Sequence, residues 1–598
     1  MKFNKFMLAA VLAAGALMNA KAANYAWPQN YSGVMLQGFY WDSYNDTKWT
    51  VLESKADEYS KYFSLIWIPN PGKSASNPSM GYDPVYWFSN FNSAFGNEAS
   101  LKKMIATYKE KGTGIIVDVV VNHRSGVSNW TNFPAETWRG VTYKLGPEHI
   151  CCTDEVAHAA GQAKPTGAAD TGEDFGSARD LDHTHPDVQA AIKAYTTFLL
   201  EDMGFVGFRY DMVKGYAPQY TKMYNEASKP TFSVGEFFDS NYDSVKWWID
   251  GTGKQSAAFD FPFKYAVNEA FHSGDLTKMV WKANGVNPQP AGMIHFGYPE
   301  YAVTFVDNHD TYRDGSKFNG NIPAANAFML MSPGTPCVFL KHYQDYTKEI
   351  QKLIDARKSV GIHNQSSVNV LRTTRDCYMA EVTGLHGKAV VKIGSAMAKP
   401  DGYSDSDIVA SGKDYCVWVK SEKPVVSTPS ELYILGNLPT GHWSTSNGVK
   451  MTRNGDTFEA NDVEFEPAAA GASAYFSFVT TLAGDWNGVN NSDRYGPYEK
   501  DQVISKKQPS DFRKFSAGGD ASSANSWSVI PGRYKVIADF STMKVHVTDT
   551  SSADDVEIAG EDQAVEYYTL QGIRVAEPEV PGLYIVRRGS RVSKEFVK

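Results

Sequence analysis

A chain of 598 residues is too long for a single hydrophobic core and implies roughly three or four domains of ~150 residues. Its net charge of −9, with no basic run, excludes a nucleic-acid binder, whose phosphate partner requires clustered Lys and Arg. After the first residues no stretch reaches the ~20 uninterrupted apolar positions of a membrane-spanning helix, and the odd cysteine count makes no disulfide framework.

In chain order, residues 1–22 have the form of a secretory signal: Lys2 and Lys5, an apolar run over 6–18, then the small-x-small triplet Ala20, Lys21, Ala22. That run is too short to span a bilayer and no Cys stands at the cleavage point, so a secreted protein without a lipid anchor is expected, extracellular or at the cell surface. From 34 to 340 eight apolar strands recur with helices between them: VMLQGFY (34–40), LIWIP (65–69), GIIVDVVV (114–121), GFVGFRY (204–210), FSVGEFF (232–238), AAFDF (257–261), AVTFVDN (302–308) and CVFL (337–340). Eight strands in βα alternation predict an α/β fold, a (β/α)8 TIM barrel over 23–360. Ser100 is expected to cap a helix presenting Leu101, Met104, Ile105 and Tyr108, stopped by Gly112; Pro186 opens another with Val188, Ile192, Tyr195 and Leu199 on one face. One polar excursion, 124–182, leaves the barrel after strand three, and long excursions at the carboxyl face of such barrels are usually functional. Beyond Val360 short strands predict a small β domain (361–426), then a Ser/Pro linker and a second β region (427–548). A Ser/Asp/Thr-rich joint leads to a short β tail within 549–598. Export would permit a bridge between Cys377 and Cys416.

The stretch 204–215, GFVGFRYDMVKG, opens as a buried strand and then brings in Arg209, Asp211 and Lys214. Charge at the carboxyl end of a core strand is either an ion-pair lock of the fold or the beginning of an active site. Two further acids, Glu236 and Asp310, stand at the ends of strands five and seven, so all three are expected over one mouth of the barrel. Paired carboxyl groups ~5 to 5.5 Å apart are what retaining glycoside hydrolysis requires, one attacking the anomeric carbon and the other protonating the leaving oxygen. Arg209 lies two residues before Asp211 on the same strand face and would hold it ionised; Glu236 needs a raised pKa to stay protonated. The aromatic share of 13% suits stacking on sugars as well as filling cores.

DVVVNH (118–123), GFRYD (207–211), GEFF (235–238) and FVDNHD (305–310) resemble, in order and spacing, the signature segments of the α-amylases of glycoside hydrolase family 13. The resemblance covers about 34–420 and is nearest to the plant-type α-amylases, through LQGFYWDS, MGYDP and DTGEDFGSARDLDH. It implies Asp211 as nucleophile, Glu236 as general acid/base and Asp310 as the acid that grips sugar hydroxyls. It further implies His123 and His309 as transition-state hydrogen bonders, Tyr82 as the ring beneath the cleaved glucose and Lys214 on the leaving-group side. Structural calcium is implied too, held by Asn122, Asp170 and Asp180 with the backbone carbonyls of Glu173 and Gly215, all oxygen ligands as a hard cation prefers. Asp174 and Asp154 stand nearby without an assigned role. Trp41, Trp87 and Trp130 either stack on glucose or pack into the core. The region 427–548 resembles starch-binding β-sandwiches, with Trp443, Trp486 and Trp527 as candidate platforms and Arg494 as a polar partner. The tail resembles the sorting segments of the type IX secretion route, or is a last small β module.

The resemblance thus implies a monomeric, endo-acting α-amylase acting on internal α-1,4 bonds of starch and glycogen. Another activity of the family, maltooligosaccharide-forming or transglycosylating, is the alternative, and so is a non-catalytic glucan-binding protein.

Overall fold

Short apolar runs, buried at nearly every position, make the eight strands of the central barrel: β1 (Met35–Gln37), β2 (Leu65–Ile68), β3 (Gly114–Val119), β4 (Gly207–Tyr210), β5 (Phe232–Gly235), β6 (Ala257–Phe259), β7 (Ala302–Phe305) and β8 (Thr335–Phe339). They pair in parallel in the order β1-β8-β7-β6-β5-β4-β3-β2 and close on themselves. The computed structural model describes residues 26–154, 163–282, 287–295, 297–313, 315–421, 428–467, 469, 471–504, 509–540 and 542–549, and the tail strands 565–568, 574–575, 582–588 and 591–597. The signal-like residues 1–22 lie outside the described residues. Among the described residues no helix is long and apolar enough to cross a membrane.

Most helices between the strands bury one face, whereas Ile322–Leu330 is buried all round from Ala324 on. In Glu98–Glu110 the buried residues are Leu101, Met104, Ile105 and Tyr108, but the cap is Asn97, not Ser100. The Asn97 side chain accepts from Ser100 N at 3.0 Å, while the Ser100 hydroxyl accepts from Asn97 N at 3.2 Å. Two backbone donors are satisfied reciprocally, which moves the start of the helix to the residue able to accept first. Pro186–Glu201 begins at its proline as expected.

The excursion after β3 is pinned at both ends, because His123–Arg124 pairs antiparallel with Arg179–Asp180. Inside it, Arg124 and Glu136 form a buried ion pair at 2.6 Å, and Glu136 also accepts from the backbone N–H groups of Trp87, Phe88 and Ser89. A loop-rich segment is thereby fastened to the barrel by satisfied charges rather than by a core of its own.

A five-stranded antiparallel sheet follows, in the order Ser367–Thr374, Cys377–Gly384, Gly387–Ile393, Tyr415–Ser421, Ile408–Gly412. Cys377 and Cys416 are both free. Gly387–Ile393 runs between their strands, which sets them two strand spacings apart, ~9.6 Å, beyond the ~7 Å Cα limit of a disulfide. Next come a seven-stranded and a five-stranded sheet sharing one core, including Phe458, Phe476, Phe478, Trp527 and Tyr534. This sandwich meets the barrel through Glu499, which accepts from Ser32 N at 2.9 Å and Ser32 Oγ at 3.0 Å. Tyr498 also bonds His386 Nδ1 at 2.9 Å. Residues 549–598 are a separate compact unit whose strands pair as Arg574–Val575, Val565–Tyr568, Gly582–Arg588, Arg591–Val597.

Candidate active site

Register places the site. Asp118 on β3 lies opposite Arg209 on β4, and Arg209 lies opposite Val234 on β5, two residues before Glu236. The Arg209 guanidinium, fully buried, reaches Asp118 Oδ1 at 2.7 Å and Asp211 Oδ1 at 2.5 Å with Nη1, and Glu236 Oε2 at 2.8 Å with Nη2. The carboxyls of Asp211 and Glu236 are therefore no farther apart than one guanidinium and two hydrogen bonds allow. One positive charge cannot neutralise three buried carboxylates, so protons must stay on some of them. Burial raises Glu236 to about 8, a rise that Arg209 opposes while Asp211 and Asp310 add to it. Asp118 rises to about 7, again through burial first, with Arg209 opposing. Met212, in the left-handed region at φ 44°, turns its N–H to donate to Glu236 Oε2 at 3.0 Å.

Asp310 sits beyond β7 in a turn. Burial alone would raise its carboxyl, but His309, Arg209 and Arg313 outweigh burial and hold it below the usual carboxylate range. Its oxygens lie 3.2 Å from His309 Nε2 and 2.9 Å from Arg313 Nη2. Gln37 Nε2 donates to His309 Nδ1 at 2.9 Å, which leaves the ring proton on the Asp310 side. Desolvation lowers His309 to about 4, against the opposing pull of Asp310. Tyr82 donates to Asp118 Oδ2 at 2.8 Å and stacks parallel to His309, centroids 5.3 Å apart. His123, also lowered by burial, donates Nε2–H to the Tyr82 carbonyl at 2.8 Å and carries Phe175 on its face at 4.1 Å. Lys214 stands between Glu173 and Asp239, 3.3 Å from each.

Beside the crater, Asp170, Asp174 and Asp180 bring carboxylate oxygens within 4.8 Å of one another. Two buried oxygens there, Asn122 Oδ1 and Asp170 Oδ2, have no hydrogen-bond partner. A Cβ built on Gly215 would come 2.0 Å from Asn122 Oδ1, so only glycine lets the turn Val213–Gly215 approach that oxygen. Burial raises Asp180 to about 8, with the like charges of Asp170, Asp154 and Asp174 adding to the rise and the Phe175 N–H opposing it. The donor set suits a hard divalent cation. Asp174, which had no assigned role, belongs to the cluster. The side chain of Glu173 is engaged by Lys214, leaving its carbonyl as the atom available. Asp154 is instead paired with Arg179.

The aromatic expectations divide. Trp41 lies at the crater, parallel to Tyr82 and His309. Trp87 is core, 1% exposed and stacked on Tyr195, and so offers no face to a sugar. Trp130 is covered by the Arg179 guanidinium at 4.1 Å. Trp527 is core as well, with no exposure, its Nε1 donating to Ser510 Oγ; a central strand of the sandwich carries it inward. Trp443 and Trp486 remain at the surface with centroids 6.4 Å apart, Trp486 being 42% exposed. Arg494 is buried beneath them, 5.4 Å from the Trp486 ring, and bonds Asn490 and the Ala521 carbonyl, so it supports the ring.

Four contributors were missed: Asp118, Gln37, Phe175 and Arg313. Asp118 had a visible signal, a single charge between valines in an apolar strand; Gln37 was a lesser one in β1. Nothing local marks Phe175 or Arg313, which are loop residues brought in by the chain path.

A (β/α)8 barrel that gathers carboxylates and a buried guanidinium at the carboxyl ends of its strands defines a glycoside hydrolase. Residues 63–140 and 172–376 match the α-amylase catalytic domain, and 359–419 match the α-amylase C-terminal β-sheet domain. The chain is 32% identical over 410 residues to the probable α-amylase 2 of Arabidopsis thaliana, covering 65% of this chain and 94% of that one. It is 30% identical over 414 residues to the chloroplastic α-amylase 3 of the same plant, covering 65% and 44%. A glucan 1,4-α-maltotetraohydrolase of Roseateles saccharophilus is 26% identical over 479 residues, covering 70% and 83%. The chain belongs to the α-amylase family.

Proposed function

We propose that the protein is an exported, monomeric, endo-acting α-amylase that hydrolyses internal α-1,4 bonds of starch, glycogen and maltooligosaccharides with retention. The observation that carries this reading is the shared guanidinium: Arg209 holds Asp211 and Glu236 side by side while Glu236 keeps its proton to about pH 8. Asp211, ion-paired and 7% exposed, attacks the anomeric carbon and forms the glycosyl ester. Glu236 donates its proton to the departing oxygen, and its carboxylate then takes a proton from the water that opens the ester. Asp310 accepts from sugar hydroxyls, and His309 and His123 offer hydrogen bonds around the ring; a hydroxyl has to compete with the Tyr82 carbonyl for the His123 proton.

Calcium belongs to the same proposal. Asn122 Oδ1, the carboxylates of Asp170 and Asp180, and the carbonyls of Glu173 and Gly215 would hold it, with Asp174 as a further donor. When bound it supplies charge neutralisation among these acids. The residues it joins are neighbours of His123 and Asp211, so the insertion and the crater are braced together.

On the sandwich (427–548), Trp443 and Trp486 form the proposed starch-stacking surface, two partly exposed rings, one in a turn and one opening the short helix Trp486–Asn490. The division into 23–360, 361–426, 427–548 and 549–598 is part of the same reading. The maltotetraohydrolase relative favours a second reading, release of short maltooligosaccharides of set length. Proton NMR of fresh product decides the stereochemistry: α-anomer is expected first, and β-anomer overturns retention. A time course on amylose decides the action pattern, an early broad product mixture supporting endo attack and maltotetraose alone supporting the second reading.

A further inference from the structure

Trp41, Tyr82 and His309 are mutually parallel within 5–10°, their centroids 5.3–6.0 Å apart. At that separation parallel rings lie offset, like tiles, and present one apolar platform beside Asp310. Tyr82 is fixed by Asp118 and His309 by Gln37. Trp41, partly exposed at the platform's outer edge, is fixed by something else: the Arg313 guanidinium lies 3.3 Å above its ring centroid. The same side chain donates Nη2 to Asp310 Oδ1 at 2.9 Å, and the turn between them is closed by Arg313 N donating to the Asp310 carbonyl at 3.0 Å. Arg313 is half exposed, so it is not there to fill a core. A planar cation in face contact with an indole at one end and bonded to a carboxylate at the other couples the orientations of the two.

We propose that Arg313 is a positioning residue of the hydrolytic site, a clamp that holds Trp41 flat as a sugar-stacking edge and Asp310 turned toward the glycosyl hydroxyls. The inference rests on the glucan-hydrolase reading above and deepens it. The clamp has two separable parts. Its charge acts on Asp310, which also faces His309, Arg209, Glu236 and Tyr82. Its plane acts on Trp41. Arg313→Lys keeps the charge and loses the plate; Arg313→Gln keeps a planar amide and loses the charge; Arg313→Ala loses both.

The test uses the full chain on maltoheptaose, with kcat and KM measured across pH. Arg313→Ala is expected to lower kcat/KM by about tenfold, the scale of one cation–π contact plus one hydrogen bond. It also moves the acidic limb upward by about half a unit, because a half-exposed cation has left Asp310. Arg313→Lys should restore the limb but keep a raised KM, and Arg313→Gln should do the reverse. A purely structural role would shift neither the limb nor the split between variants. The proposal is overturned if Arg313→Ala matches the wild type in both readouts, or if Lys and Gln are equivalent. Failure of the underlying reading looks different: the wild type itself would then release no reducing sugar from any α-glucan.

Discussion

The barrel crater and the surface ring pair of the sandwich hold aromatic side chains in opposite settings. Trp67, with no exposure, lies 5.2 Å from the Arg209 guanidinium and helps exclude water from a cluster of one cation and three acids. There, burial decides which groups carry protons, raising Glu236 to about 8 and Asp118 to about 7. Trp486, 42% exposed, lies beside Trp443 with apolar surface left in water, whereas Trp527 is wholly enclosed in the sandwich core. Bond-breaking chemistry requires water excluded around charge, whereas polymer attachment requires rings left in water until the polymer arrives.

That contrast can be broken by substitution, and the largest effect belongs to the crater. Asp211→Asn should lower kcat/KM on the order of 10⁴-fold, because an amide in place of the carboxylate cannot form the proposed ester. Initial rates on maltoheptaose measure it, and residual activity within tenfold of wild type would remove Asp211 from the nucleophile role. Arg209→Met should destabilise the fold by about 3–5 kcal/mol, since it leaves buried acids without their cation; urea unfolding measures it. Chelation should destabilise by about 3 kcal/mol relative to protein in calcium at one hundred times its Kd, seen as a lower Tm. An unchanged melt, with no metal found by elemental analysis, would argue against the brace.

The pH profile sharpens the comparison further. As the proposed acid, Glu236 has to be protonated, so kcat/KM should decline through a limb near pH 8. The folded state holds the Glu236 and Asp118 protons more tightly than the unfolded chain, so this cluster's stability contribution is greatest below about pH 4 and is lost as pH rises toward 8. A basic limb near pH 5 would place the acid elsewhere. The smallest effect belongs to the sandwich: Trp443→Ala with Trp486→Ala should weaken adsorption to granular starch about tenfold, near 1.4 kcal/mol. Turnover of soluble maltoheptaose should be unchanged. Point variants are the right probe, because Glu499 bonds the barrel at Ser32 and deleting the sandwich would expose that contact.

Much of the crater was legible because strand-end chemistry is local. Asp211 and Glu236 each stand one residue past a short apolar strand, and parallel strands bring such positions to one face whatever lies between them. Asp118 is legible in principle, as the charge that opens the DVVVNH segment, but its role depends on the Arg209 guanidinium of the neighbouring strand. Arg313 and Phe175 were not legible: each acts through a neighbour far away in the chain, Trp41 for one and His123 for the other. The tryptophans show the same limit, since Trp486 and Trp527 are equally apolar in the sequence, and only the packing puts one in a surface helix and the other on a strand facing the core.

The sequence by itself determined the barrel, the order of its strands and the acids at their ends, because apolar periodicity and strand-end charge are written in consecutive residues. Only the tertiary structure decided which acids keep their protons, which rings remain exposed, and that one guanidinium serves three carboxylates. Those outcomes depend on burial and on contacts between residues far apart in the chain, and no run of neighbouring letters records either.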